Sequence, residues 1–138
     1  FRSSSMENNT LTNAPLALII EDDKKQATIF SQALRMADYE TEVIRDGQTA
    51  LERLAETIPA MVVLDLHLPH YSGKDILRTI RSDARLEKTR VILATADALL
   101  AKSISEDADL VLLKPISFNQ LRDLAKRFNF HRSHQATG

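Results

Sequence analysis

M-V-V-L-D-L-H-L-P-H-Y-S-G, running from Met61 to Gly73, is the stretch on which the reading of the fold turns. Four apolar residues in a row, two of them valine, predict a strand buried on both faces rather than one. The run ends on a lone carboxylate, Asp65, and Pro69 and Gly73 forbid the strand to continue. Asp65 is therefore placed where a buried strand opens into a loop, at its carboxyl end. In open α/β sheets that edge is where ligands bind. An aspartate ahead of a proline can equally serve as a turn cap, and this stretch by itself leaves both roles open.

Working outward, short apolar strands alternate with helical patterns along the whole chain. Leu16–Ile20 predicts a buried strand closed by Glu21-Asp22-Asp23, and Ala27, Phe30, Ala33, Leu34 and Ala37 recur at helical spacing after it. Glu40–Ile44 alternates like an edge strand. Asp46-Gly47 predicts a turn, and Ala50, Leu51, Leu54 and Ala55 a helix lasting to Pro59. Beyond Asp65, a helix starts at Gly73 and carries Ile76, Leu77 and Ile80, trailing into a charged loop, Arg81–Lys88. Arg90–Ala94 forms the fourth strand, stopping at Thr95. A short helix at Ala98–Ile104 leads to the fifth strand, Asp109–Leu113, and Lys114-Pro115 follows. Ser117, with Gln120 three residues on, is a capping box for a last helix carrying Phe118, Leu121, Leu124, Ala125 and Phe128.

Five βα units joined by right-handed crossovers make an α/β, doubly wound parallel sheet with helices on both faces. The flavodoxin-like (βα)5 strand order 2-1-3-4-5 fits best, since the second strand is the polar edge. Its switch point then falls between the strands that end in Glu21-Asp22 and in Asp65. One domain is expected over residues 15–129, with a polar, disordered segment over 1–14 and a tail over 130–138. Phe1–Ser5 precede the first methionine, Met6, and are expected to be an addition ahead of the natural start.

Composition narrows the chemistry. The 138 residues contain no cysteine, which removes thiol catalysis, thiolate metal sites and disulfides, and agrees with a cytoplasmic location. The longest apolar runs are too short to span a bilayer, and no signal-peptide pattern occurs. A net charge of −1 provides no general field for nucleic acid, so no direct nucleic-acid or membrane partner is expected.

The predicted sheet delivers Glu21 and Asp22 from strand one, Asp65 from strand three, Thr95 from strand four and Lys114 from strand five to one edge. Singly, each has a plain structural reading as a cap or a solvated charge. Jointly they make a site. Crowded carboxylates repel and take up protons unless a cation intervenes. Oxygen ligands without sulfur or imidazole suit Mg2+. A carboxylate can attack phosphorus, and the transferring group needs a metal, an ammonium and a hydroxyl around its three oxygens.

With these residues assembled, the sequence resembles a response-regulator receiver domain of two-component signalling. L-I-I-E-D-D at Leu18–Asp23, D-L-H-L-P-H-Y-S-G at Asp65–Gly73, L-A-T-A at Leu93–Ala96 and L-K-P at Leu113–Pro115 match the family's motifs in order, within a match from about Pro15 to Phe128. The resemblance implies that Asp65 is the phosphoacceptor, that Asp22 binds Mg2+ directly and that Glu21 holds a metal-bound water. It implies that His67 offers the metal its backbone carbonyl, that Thr95 and Lys114 bind phosphoryl oxygens, and that the Lys114–Pro115 bond is cis. Such a domain is not a turnover enzyme, although it catalyses its own phosphorylation and dephosphorylation. Its implied partners are a sensor histidine kinase or histidine phosphotransfer protein and a downstream protein, with a homodimer compatible. No DNA-binding effector is expected within these 138 residues.

Three features depart from the family. Asp23 is an extra acid, expected exposed on the first helical turn. The interval from Thr95 to Lys114 is short, predicting a truncated fourth helix. Val111 stands where most receivers carry an aromatic residue. Among other readings, a phosphatase of the dehalogenase type wants a second aspartate two residues after the first, where this chain has His67. A nucleotide-binding module needs a phosphate-cradling loop that Gly47, Gly73 and Gly138 cannot build. The alternative that stands closest is a receiver-fold interaction module with phosphorylation-independent output. The altered switch region favours it; the filled reactive positions oppose it.

Overall fold

The structure, a computed structural model, describes residues 14–137, with side chains as far as Asn129. The expected segment 1–14 therefore lies, apart from Ala14, outside the described residues. Five parallel strands form one sheet: β1 Leu16–Ile20, β2 Glu40–Ile44, β3 Met61–Asp65, β4 Arg90–Thr95 and β5 Leu110–Leu113. Their order is β2-β1-β3-β4-β5, the flavodoxin-like order that the sequence predicts. Helices α1 Lys24–Met36, α2 Gly47–Glu56, α3 Gly73–Ser82, α4 Ala98–Ile104 and α5 Phe118–Thr137 fill the crossovers and close the chain.

Because side chains alternate across a strand, each central strand feeds two cores. Leu18, Ile20, Val62, Leu64, Val91 and Leu93 face α2, α3 and α4 through Leu54, Ile76, Leu77, Ile80 and Ile104. Ala17, Ile19, Met61, Val63, Ile92 and Leu112 face α1 and α5 through Phe30, Leu34, Leu121 and Ala125. Every residue of β3 is buried, as a strand covered on both faces demands. No described helix is long and apolar enough to cross a membrane.

Several boundaries move from their sequence-based positions, each for a local reason. Asp46 is not in a free turn. Its carboxylate accepts from Thr49 N–H at 2.8 Å and caps α2, so Gly47 is the first helical residue. That helix ends at Glu56, short of Pro59, because the Thr57 hydroxyl donates back to Arg53 O at 2.7 Å and residue 57 turns extended. The charged stretch Arg81–Lys88 is not all loop. A 3-10 turn, Ala84–Leu86, starts at Asp83 and buries Leu86. Asp23 is the N-cap of α1 rather than a residue of its first turn, accepting from Gln26 N–H at 3.0 Å. Residues 130–137, expected as a tail, continue the backbone of α5.

The short α4 is tied down at its far end. After a 3-10 turn at Ser105–Asp107, Arg81 of α3 donates to Asp107 O at 2.7 Å, Thr89 O at 3.1 Å and Asp109 Oδ2 at 2.9 Å. Asp109 also accepts from Val91 N–H and pairs with Arg90. One guanidinium thus binds three segments at the amino-terminal edge of the sheet.

Candidate functional site

The carboxyl ends of β1, β3, β4 and β5 carry the five side chains that the sequence singles out. Glu21 follows β1 directly, and its N–H donates to Ile44 O of the neighbouring strand at 3.0 Å. Asp65 is the last residue of β3 and is 4% exposed; Thr95 ends β4 with no exposed surface. Lys114 follows β5, held by a bond from its N–H to Thr95 O at 2.8 Å. The parallel register, Leu64 beside Leu93 and Thr95 beside Leu113, brings the strand ends level.

Carboxylate oxygens of Glu21, Asp22 and Asp65 lie within 4.8 Å of one another. Lys114 Nζ donates to Glu21 Oε1 at 3.0 Å and lies 3.5 Å from Asp65 Oδ1. Three negative groups against one positive leave two negative charges in a pocket that is mostly buried. Burial pushes the Glu21 carboxyl above the usual carboxylate range, and the neighbouring Asp65 charge adds to the rise. The Lys114 ammonium and the Asp23 N–H, donating to Oε2 at 3.1 Å, pull it back. The donor set is all oxygen, carries a surplus of two negative charges and contains no soft ligand. Such a set fits a small hard divalent cation such as Mg2+.

The loop after Asp65 is built to hold that carboxylate still. His67 N–H donates to Asp65 Oδ1 at 3.1 Å. A two-stranded ribbon, His67–Leu68 with Tyr71–Ser72, folds back through Pro69 and His70, the latter at φ 66°. That left-handed conformation completes a tight reversal after a proline. A Cβ on Gly73 would stand 2.5 Å from Leu66 Cα and 2.7 Å from Asp65 O, so only glycine fits where α3 returns to the loop after β3. Tyr71 packs its side chain against Gly47 and donates its hydroxyl to Gln48 Oε1, fastening the loop to the start of α2.

Thr95 Oγ1 accepts from Asp97 N–H at 3.0 Å, and Asp97 caps α4 by accepting from Leu100 N–H at 3.0 Å. The site is thereby linked to α4 through two consecutive local bonds. His67 Nε2 and Asp97 Oδ2, both half-exposed, stand 3.9 Å apart across the mouth of the site. The Lys114–Pro115 bond is cis, as the resemblance implies. Val111, half-buried, packs against the core on the side of α3 and α4.

Sequence reasoning missed one neighbour of the cluster. Arg45, just after β2, donates from Nε and Nη2 to Asp22 O at 3.2 and 2.9 Å. A signal for it existed: Ile20 pairs with Ile44, so residues one or two beyond each run side by side. A second hollow, lined by Pro15, Tyr39, Ile58, Thr89 and Phe128, lies at the opposite edge of the sheet, remote from the carboxylates.

Comparison with known proteins gives a consistent result. Residues 17–126 match the family model described as "Response regulator receiver domain". "Probable methanogenesis regulatory protein FilR2" of Methanothrix harundinacea is 30% identical over 118 residues, covering 78% of this chain and 76% of that protein. The DNA-binding response regulator MtrA of Mycobacterium leprae is 31% identical over 104 residues, covering 75% of this chain but 46% of MtrA; this chain spans about half the length of that relative. Among solved structures, the BeF3-activated receiver domain of DrrB, from Thermotoga maritima, superposes with a TM-score of 0.76. It is 29% identical and covers 85% of this chain and 98% of its own.

Proposed function

Since the chain belongs to the response-regulator receiver family, we propose that it accepts a phosphoryl group on Asp65 in a Mg2+-dependent reaction and thereby switches a protein-interaction surface. The carrying observation is the Glu21, Asp22 and Asp65 cluster with the Lys114 ammonium beside it. The donor is a phosphohistidine on a sensor kinase or phosphotransfer protein, or a small acyl phosphate. Asp22 and Asp65 would hold Mg2+ and Glu21 a metal-bound water, and the ion would supply charge neutralisation at the phosphoryl oxygens.

This chain's own residues account for the rest. An Asp65 oxygen forms the bond to phosphorus while the bond from phosphorus to the donor nitrogen breaks, the electron pair leaving on the imidazole. His67 N–H keeps the other lone pairs of Asp65 oriented through Oδ1. Lys114, 3.5 Å from Asp65, meets one phosphoryl oxygen as an ammonium donor. Thr95 uses an acceptor lone pair on Asp97 N–H, and its O–H is a donor for a second oxygen. The backbone carbonyl of His67 would be a further oxygen donor to Mg2+. Burial of Asp65 and Thr95 keeps bulk water from the acyl phosphate once it has formed.

The test is intact mass after incubation with acetyl phosphate and MgCl2. Wild type gains one phosphoryl group; Asp65→Asn and wild type in EDTA do not. Equal uptake by Asp65→Asn, or uptake indifferent to EDTA, removes the assignment.

A further inference from the structure

We infer that Arg45 is a positioning residue for the divalent-cation site, a role that rests on the reading of Asp22 as a metal ligand. Among the described residues, no hydrogen bond or ion pair holds the Asp22 carboxylate, although it belongs to the acidic cluster. The hydrogen bonds that hold Asp22 among the described residues therefore run through its backbone. That backbone is three residues long, between the end of β1 and the start of α1, and Glu21 and Asp23 at its two ends are each held by several bonds. Glu21 N–H is bonded to Ile44 O, Asp23 N–H to Glu21 Oε2, and Asp22 O takes both bonds of the Arg45 fork. Remove Arg45, and the middle residue of the three loses both hydrogen bonds that hold it among the described residues.

The plain alternative is a solvated arginine at the end of an edge strand. Arg45 is exposed, yet among the described residues it makes no ion pair and spends two N–H groups on one carbonyl. A planar guanidinium can present two donors to one point; an ammonium on a flexible stem cannot hold the same geometry. A purely electrostatic role has the opposite sign. A cation beside the site repels Mg2+, so deleting it would tighten metal binding. The charge is exposed and screened by water and salt, whereas the clamp acts on ligand geometry directly. Partners that orient a ligand from outside the coordination shell typically matter about 10- to 100-fold in metal affinity.

Titration of the full chain with MgCl2 by calorimetry, at fixed ionic strength, tests this. Arg45→Ala is expected to bind Mg2+ about tenfold more weakly than wild type, with its metal-free unfolding midpoint close to wild type. Arg45→Lys, which keeps the charge and loses the fork, falls between them. Equal or tighter Mg2+ binding by Arg45→Ala overturns the positioning role, as does full rescue by lysine. If wild type and Asp22→Ala take up Mg2+ alike, the ligand assignment itself fails and the inference falls with it.

Discussion

Lys114 is bonded to Glu21: its ammonium donates to Oε1 at 3.0 Å, while Asp65 Oδ1 lies further away at 3.5 Å. Glu21 is almost fully buried, so the lysine offsets a charge that water cannot reach. Lys114→Met should lower stability in metal-free buffer by about 1–3 kcal/mol, the cost of an orphaned buried charge. MgCl2 should restore part of the loss, since the metal takes over the same neutralisation. Urea unfolding with and without MgCl2 measures both effects, and a loss that MgCl2 leaves unchanged contradicts the shared role.

Adjacent aspartates should behave in opposite ways. Asp23→Ala removes the N-cap of α1 and is expected to cost about 1 kcal/mol while leaving the Mg2+ response intact. Asp22→Ala removes a repelling charge, so it should not destabilise the metal-free protein, yet it should abolish most of the Mg2+-induced rise in melting temperature. Thermal melts of both variants across a MgCl2 series decide; parallel behaviour would place the ligand elsewhere.

Gly73 is the only side-chain-free position where α3 meets the loop after β3. Gly73→Ala should destabilise by about 1–3 kcal/mol, since its methyl would press on backbone rather than on a movable side chain. The displaced atoms include Asp65 O, so the variant should also accept phosphate more slowly than its loss of folded protein explains. Single-turnover mass spectrometry on the folded fraction separates the two.

Glu42 gives a pH signature away from the site. Its hydrogen bonds to Arg53, at 2.6 and 2.9 Å, hold its carboxyl below the usual carboxylate range, against the opposing effect of partial burial. The folded state therefore binds this proton less readily than the unfolded chain. The stabilisation is complete above the usual carboxylate range and is lost as pH falls through the depressed folded value. Glu42→Gln should melt below wild type at neutral pH, and the two curves should converge in acid. A difference that persists or grows in acid would contradict the pairing.

Strands, their order and the ends bearing Glu21, Asp65, Thr95 and Lys114 were legible because burial on both faces leaves runs such as Met61–Leu64 without polar interruption. Of the two adjacent acids, Asp23 was legible as the extra, exposed one, but not as a helix cap. That it caps α1 instead of lying on the first turn depends on a bond to Gln26 N–H, not on composition. Leu86 was hidden inside a charged stretch because one buried residue has no period. The need for glycine at position 47 comes from Tyr71, 24 residues on, and the Arg45 fork depends on strand register. Contacts between elements of this kind leave no mark on local pattern.

The tether at Arg81 gives α4 the kinematics of a pivoted rod. Its start is joined to Thr95 through the Asp97 N–H, and its far end is pinned where Arg81 grips Asp107 and Asp109. Seven residues at the usual helical rise make a rod of about 10 Å. A sideways step of about 1 Å at Asp97 becomes a tilt of about 6° around the pinned end, and it carries the first turn, with Leu99, which is 83% exposed, and Leu100. Shortness is therefore an amplifier: the same step at the end of a helix twice as long would turn it through half the angle.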